Sequence, residues 1–372
     1  MVLGIPLGAI MRKIRNPTIA FSYSIISGSI LIYLVYGVST FILILDSLLP
    51  ILHALFIYAL LKYFPREYIG WTVVITSSLT ASLFHAQRLI FNYGNWDTGI
   101  VQIFMIQVIH FSYLGWDYSD GADPKSKSRT RLVNLPDLFE YMAATLCPTQ
   151  VLAGPSSHFI DFHNYIYKKR EYAKTYSCLS IGLKRAITGI LWLGVYSMII
   201  NFFPMDLFYT KRFYGSPFFA RLFYFMIIGT GAKAKYYGPF KLIEAGVVFS
   251  GQAFNDYDEQ TKQPNFDKIS MINIYSTELS VFLRGIIEEW HKPAQIWLKE
   301  CIHSRLNVSH KLKNPITFLM SAIWHGFYPL YFFSFTFYYV GTTNFNFIYK
   351  MFTKYKFLRT PVIYVSQSYY LS

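Results

Sequence analysis

Long apolar runs separated by short polar and basic clusters set the pattern of this chain. Residues 18–37, 99–116 and 186–205 contain no Asp, Glu, Lys or Arg, and none occurs between Asn314 and Tyr349. A helix needs about 20 apolar residues to cross the hydrocarbon core of a bilayer. By apolar length the pattern predicts about nine or ten membrane-associated helices. They fall near 18–37, 39–63, 70–90, 99–116, 137–153, 178–203, 217–235, 238–252, 279–303 and 315–342. Pro50 and Pro148 interrupt two of these segments, and Asp46, Arg88, Arg221, Glu244 and Glu278 lie in or at the ends of others. Helices that carry such groups are expected to pack around a polar interior instead of facing lipid on every side. The expected fold class is therefore all-α, a polytopic integral membrane protein. No period of roughly 20–50 residues repeats, which argues against an inverted-repeat transporter. One membrane-embedded domain over 1–372 is the simplest organisation.

Composition sharpens this reading. Hydrophobic residues make up 53% and charged residues 15%, where a soluble domain carries about 25% charged. Aromatic residues reach 19%, a density suited to the lipid boundary, where Tyr and Trp keep one end dry and one wet. The net charge of +14 is carried in short runs such as Arg12-Lys13-Ile14-Arg15, Lys125 to Arg131 and Lys168-Lys169-Arg170. Runs placed between apolar segments read as cytoplasmic loops facing anionic lipid, or as contacts for a polyanionic substrate, and not as a nucleic-acid surface. Cys147, Cys178 and Cys301 are too few and too scattered for a disulfide framework or a metal site. At the N-terminus apolar residues precede the basic ones, the reverse of a secretory signal, so the first hydrophobic segment is expected to be retained. The run Asn255-Asp256-Tyr257-Asp258-Glu259 lacks the ligand spacing of an EF-hand and reads as a surface loop.

Several catalytic signatures are absent: a Walker A loop, H-E-x-x-H and the G-x-S-x-G elbow. None of the nine histidines has the downstream Asp of the H-x4-D acyltransferases. Two other features carry chemistry. His325, in Ser321-Ala322-Ile323-Trp324-His325-Gly326-Phe327-Tyr328-Pro329, lies deep in uncharged sequence. Such a histidine either marks a functional site or is bonded to a neighbouring carbonyl as packing glue. The second feature is Glu288-Glu289-Trp290-His291-Lys292-Pro293-Ala294-Gln295-Ile296-Trp297-Leu298. Its tryptophans are about two helical turns apart and are expected on one helix face, with Pro293 kinking or beginning the helix. An interfacial helix anchored by tryptophans is the alternative. A turn at Asn307–Asn314 would let two helices bring His291 and His325 into one chamber.

Together these stretches resemble the membrane-bound O-acyltransferase family, and within it the lysophospholipid acyltransferase branch. The segment 321–329 is similar to that branch's signature around its catalytic histidine. Trp290 to Leu298 is similar to the family's W-N-x-x-x-x-x-W-L site. Glu244-Ala245, Ser250-Gly251-Gln252-Ala253-Phe254-Asn255, Asn273-Ile274, Gly154-Pro155, Asp161-Phe162, Ser119-Asp120-Gly121 and Tyr93-Gly94 fit in the same order, from about residue 25 to about 340. Three departures stand out. His291 replaces the usual Asn, Leu330 replaces a Gly, and the family's C-terminal helices are expected to be shortened.

The resemblance implies a bundle enclosing a catalytic chamber in the endoplasmic reticulum membrane. It implies transfer of a fatty acyl chain from acyl-CoA, a co-substrate and not a bound cofactor, to the free hydroxyl of a lysophospholipid. His325 would act as general base, matched to the task at neutral pH, and burial would keep its ring neutral. The thiolate leaving group needs no strong acid, its thiol being about as acidic as cysteine at 8.5. His291 would orient the carbonyl and stabilise its oxyanion, provided one tautomer is held. Trp290, Trp297, Trp324, Ser321, Asn255 and Glu244 are the expected substrate-binding residues. Lys292, Lys299 and Arg305 are the basic residues expected to meet coenzyme A, or else to snorkel at the interface. Other acceptors (a sterol, diacylglycerol or a protein serine), a non-catalytic lipid-binding member, and a proton-relaying transporter are the competing readings. A homodimer is left open.

Overall fold

The computed structural model describes residues 1–37, 41–94, 99–126, 128–280 and 282–344, and for 41–46 the path of the helix alone. Parts of the segments expected at 39–63 and 279–303, of the basic run 125–131, and of the uncharged stretch ending at Tyr349 lie outside the described residues, as does the C-terminal region expected to be shortened.

Among the described residues the chain is almost entirely helical. The first five helices are α1 (Gly4–Lys13), α2 (Pro17–Tyr36), α3 (Phe41–Tyr63), α4 (Ile69–Phe91) and α5 (Val101–Asp120). Then come α6 (Leu138–Thr145), α7 (Phe159–Ile166), α8 (Leu179–Phe202), α9 (Lys211–Tyr214) and α10 (Phe218–Ser250). The last five are α11 (Ile274–Leu279), α12 (Leu283–Glu289), α13 (Lys292–Trp297), α14 (His310–His325) and α15 (Pro329–Thr343). A small hairpin of β1 (Asp256–Asp258) and β2 (Gln263–Asn265) pairs antiparallel in the loop that the acidic run 255–259 predicts. The helices α2 and α4 and the stretch Leu179–Tyr209 that contains α8 are long and apolar enough to cross a membrane. The protein is an all-α membrane protein, as its hydropathy pattern implies.

The element boundaries follow local chemistry. Asn16 caps α2 by accepting the Ile19 N–H at 3.2 Å, with Pro17 at the first turn, where no N–H is needed. Asp137 caps α6 through the Glu140 N–H at 2.8 Å. The segments expected separately at 217–235 and 238–252 form one helix, α10, which runs through Pro239. It packs along α8 at a crossing of small residues: a Cβ on Gly189 would lie 2.9 Å from the Gly238 carbonyl oxygen. Backbones approach this closely in membranes where glycine faces glycine, and α10 continues past the proline along this contact.

Two other expectations change. Arg12 does not face lipid: on α1, which the apolar-length criterion misses, it donates to the Tyr176 carbonyl and contacts the Cys178 sulfur. The segment expected at 279–303 is broken into α11, α12, α13 and one π-helical turn, Leu298–Ile302. His291 adopts a left-handed conformation (φ 45°, ψ 58°) between α12 and α13. Trp290 and Trp297 therefore lie on different elements and not on one helix face.

The core helices α4 and α5 pack together, and α13, the π-helical turn and α14 close against them. This places the end of α14 and the start of α13 side by side in the interior.

Candidate active site

Helix α14 ends at His325 because Gly326 takes φ +120°, a value open to glycine and strained for other residues. The segment expected to run from 315 to 342 is thus two helices with His325 at the corner between them. Its Nδ1 lies 2.7 Å from the Ser321 carbonyl oxygen, one turn back. A carbonyl only accepts, so Nδ1 carries the proton and the neutral ring keeps its lone pair on Nε2. The bond that packing glue would make and the tautomer that a base needs are therefore the same interaction.

Trp324 joins the two histidines. Its ring lies 5.9 Å from His291 with planes 20° apart, and 4.7 Å from His325, edge to face. The indole Nε1–H donates to the Met105 carbonyl on α5 at 2.8 Å. Trp297, fully buried, packs against Trp324 at 5.8 Å. His291 also stacks on Phe240 of α10 at 5.2 Å, within 7° of parallel. Trp290 packs on the same helix, against Tyr236, Tyr237 and Phe240. Phe335 and Tyr331 of α15 cover His325 at 4.7 and 5.7 Å. The result is an aromatic chamber around two imidazoles.

The structure gathers His325, His291, Trp324, Trp297 and Ser321 at this point, with Trp290 behind Phe240. It does not bring Asn255 there, since that residue sits exposed beside the hairpin with its N–H bonded to the Asn265 carbonyl. Glu244 is fully buried and occupied. One oxygen accepts the N–H groups of Met271 and Ile272 at 2.7 and 3.1 Å, and the other meets Lys241 at 2.8 Å and Arg185 at 3.6 Å. The Met271 carbonyl in turn accepts the Lys292 N–H at 2.9 Å. Glu244 therefore ties α10 to the backbone next to His291.

A cavity of about 1100 Å³ opens beside the chamber, with Lys241, Lys292, Pro293 and Ile296 on the wall nearest His291. Lys184, Arg185 and Lys268 also line it, as do four carboxylates; Lys268 pairs with Asp161 and Glu171, and Lys292 with Glu289 at 2.7 Å. Of the three basic residues expected to meet coenzyme A, Lys292 lines this cavity. Lys299 is exposed, and Arg305 is committed to Asp120 by paired bonds of 2.6 and 2.7 Å while stacking on Trp116 at 4.4 Å.

Two histidines that the sequence reading did not single out border these spaces. His158 lines the cavity, with Nδ1 2.7 Å from Asp117 and Nε2 3.3 Å from Glu300. Burial disfavours its cation, but the two carboxylate bonds outweigh that and raise its pKa to about 10. His85, on α4, donates from Nε2 to the Trp324 carbonyl at 3.1 Å. No spacing in the sequence connects either residue to its partners. Among the described residues no cluster of His, Cys, Asp and Glu has the arrangement of a metal site.

The sequence pattern of the membrane-bound O-acyltransferase family matches residues 32–367. The chain is 24% identical over 353 residues to a lysophospholipid acyltransferase of Schizosaccharomyces pombe, covering 89% of this chain and 67% of that protein. It is 24% identical over 369 residues to a lysophospholipid acyltransferase of Saccharomyces cerevisiae, covering 89% and 58%. Lysophospholipid acyltransferase 2 of Arabidopsis thaliana is 25% identical over 346 residues, covering 89% and 73%. The chain spans between 58% and 73% of the length of these relatives. With two part-buried imidazoles meeting at one tryptophan inside an all-α membrane bundle, and a match over nearly the whole chain, this protein belongs to the membrane-bound O-acyltransferase family.

Proposed function

We propose that this protein is an acyl-CoA-dependent lysophospholipid acyltransferase with His325 as general base. In the reaction the lysolipid hydroxyl oxygen attacks the thioester carbonyl carbon. Its proton passes to Nε2 of His325 as the C–O bond forms. The C–S bond then breaks, and the proton is returned to the departing thiolate, whose thiol is about as acidic as cysteine at 8.5. The observation that carries this reading is the 2.7 Å bond from His325 Nδ1 to the Ser321 carbonyl, which leaves Nε2 as the acceptor. A part-buried imidazole at a helix corner, walled by aromatic rings, suits proton transfer from an amphiphile that stays in the membrane.

His291 is assigned to the carbonyl oxygen. A neutral imidazole donates from one nitrogen only, so its ring must be held in one orientation, and the stacks on Phe240 and Trp324 support this reading by restraining the plane of the ring. The polyanionic end of acyl-CoA is assigned to the cavity beside α13, whose lining carries Lys184, Arg185, Lys241, Lys268 and Lys292 against four carboxylates. The endoplasmic reticulum is the proposed membrane, where lysolipids and acyl-CoA meet.

The test is acyl transfer by purified protein in lipid, with radiolabelled acyl-CoA and a panel of lysolipids. His325→Ala should lower turnover by at least about 100-fold, the range a general base supplies. Transfer that survives this substitution would sink the assignment of the base. No transfer to any lysolipid would favour a lipid-binding member of the family that does not catalyse.

A further inference from the structure

The rings around His325 restrain its side chain, but the backbone that carries it is restrained by a residue distant in the sequence. His85 reaches from α4 to the last turn of α14, donating from Nε2 to the carbonyl of Trp324, the residue immediately before His325. The same imidazole lies flush against the residue immediately after. A Cβ on Gly326 would come within 2.8 Å of His85 Nδ1 and 3.2 Å of Cε1. The ring also meets Phe327 edge to face at 6.4 Å. His85 thus touches both neighbours of His325 in the chain, and Gly326 is the position where α14 turns away at φ +120°.

The Trp324 carbonyl lies in the last turn of α14, where carbonyls lack partners from their own helix. Trp324 is buried, where an unmade bond is expensive, so the donor that satisfies this carbonyl also restrains the helix end that Gly326 sets. The indole of Trp324, bonded to Met105 on α5, is a second restraint on the same residue. Two adjacent helices therefore hold the turn that presents His325, one by its backbone and one by its ring.

We propose that His85 is a positioning residue for acyl transfer. Its Nε2–H sets the peptide before His325, and its ring face sets the turn after it, so that the base meets the acceptor hydroxyl in line. This inference rests on the reading of His325 as base. It assigns His85 no proton of the reaction and no contact with substrate.

Three substitutions separate positioning from simple packing. A Gln amide nitrogen reaches about as far as imidazole Nε2, whereas an Asn amide ends near the place of Nδ1; Leu fills space without a donor. Per mole of folded protein, His85→Gln should keep turnover within a few-fold of wild type. His85→Asn and His85→Leu should lower kcat by about 10- to 100-fold, as an ångström-scale displacement of a catalytic group does. KM for acyl-CoA and for the lysolipid should stay unchanged. Equal kcat in all three variants, or a loss carried by KM, would overturn the proposal. So would failure of both the Asn and Leu variants to fold, because His85 would then be holding the bundle and not the base. His325→Ala in the same assay keeps the two ideas apart. If it remains active, the base is misassigned; if it is inactive while His85→Asn retains wild-type kcat, only the positioning role fails.

Discussion

The imidazole of His291 and the indole of Trp324 lie 5.9 Å apart with their planes 20° from parallel. Through this contact the residue that departs from the family's usual Asn is held in register with the residue next to the proposed base. Phe240 also stacks on His291, at 5.2 Å and within 7° of parallel, so two rings restrain its plane.

Trp324→Phe keeps a flat ring but removes the Nε1–H that donates to Met105. The Met105 carbonyl keeps its own partner within α5, so the change removes one side-chain hydrogen bond, about 0.5–1.5 kcal/mol. Both histidines also lose the wider indole surface. We expect a lowered unfolding temperature together with a fall in kcat of about tenfold or more, since both imidazoles shift. Wild-type kcat in a destabilised Trp324→Phe protein would show that the indole serves the fold alone.

The proposed mechanism requires two neutral imidazoles, one to accept a proton and one to hold a single tautomer at the carbonyl. Below the working pH, protonation of either ring stops the reaction. The logarithm of kcat/KM should therefore fall on the acid limb with a slope approaching two. In His291→Asn, where the amide does not titrate, the slope should fall to one. A wild-type slope of one would mean that His291 does not titrate over the working range or takes no part.

Much of this site was legible in the sequence because burial of a polar group leaves a mark in composition. His325 stands alone among uncharged residues, and the histidine and tryptophans at 290–297 stand out next to charged neighbours. Pairings between distant segments leave no such mark. Arg305 reads as a cation open to a ligand, yet Asp120, which closes on it, belongs to another helix. His85 lies on a helix whose apolar pattern gives no sign of which face meets residue 324. The hydropathy pattern divides 217–252 into two segments, yet α10 continues through Pro239 beside its glycine crossing with α8. His291 shows the converse: a proline two residues on predicts a helix start, but not the left-handed turn before it.

His158 offers a test by stability. Both ring nitrogens face carboxylates, so the folded protein holds the imidazolium, with its pKa raised to about 10 by Asp117 and Glu300 against the opposing effect of burial. The unfolded chain binds that proton only below about 6.5. The stabilisation is therefore present in full below about pH 6.5 and is lost as pH rises through about 10. Between pH 7 and 10 the unfolding temperature of the wild type should decline more steeply than that of His158→Gln. Parallel declines would show that the cation is not held there.

The left-handed backbone of His291 gives the last test. A side chain with a Cβ in this conformation costs about 1–2 kcal/mol, and Asn tolerates it better because its short amide bonds locally. The conformation is imposed from outside. Met271 accepts the Lys292 N–H at 2.9 Å, and Glu244 fixes Met271 and Ile272 from within α10. His291→Asn should therefore raise stability, by less than about 1 kcal/mol, because some strain remains and the stack on Phe240 is lost. His291→Ala should lower it, since it loses both rings' contacts and keeps the full backbone strain. Unfolding of the three proteins in the same lipid would read the order Asn above His above Ala. If Ala proved as stable as His, the two ring contacts would be adding nothing. If Asn proved less stable than His, the imidazole stack would outweigh the strain, and the family's Asn would have to be explained by chemistry at the carbonyl alone.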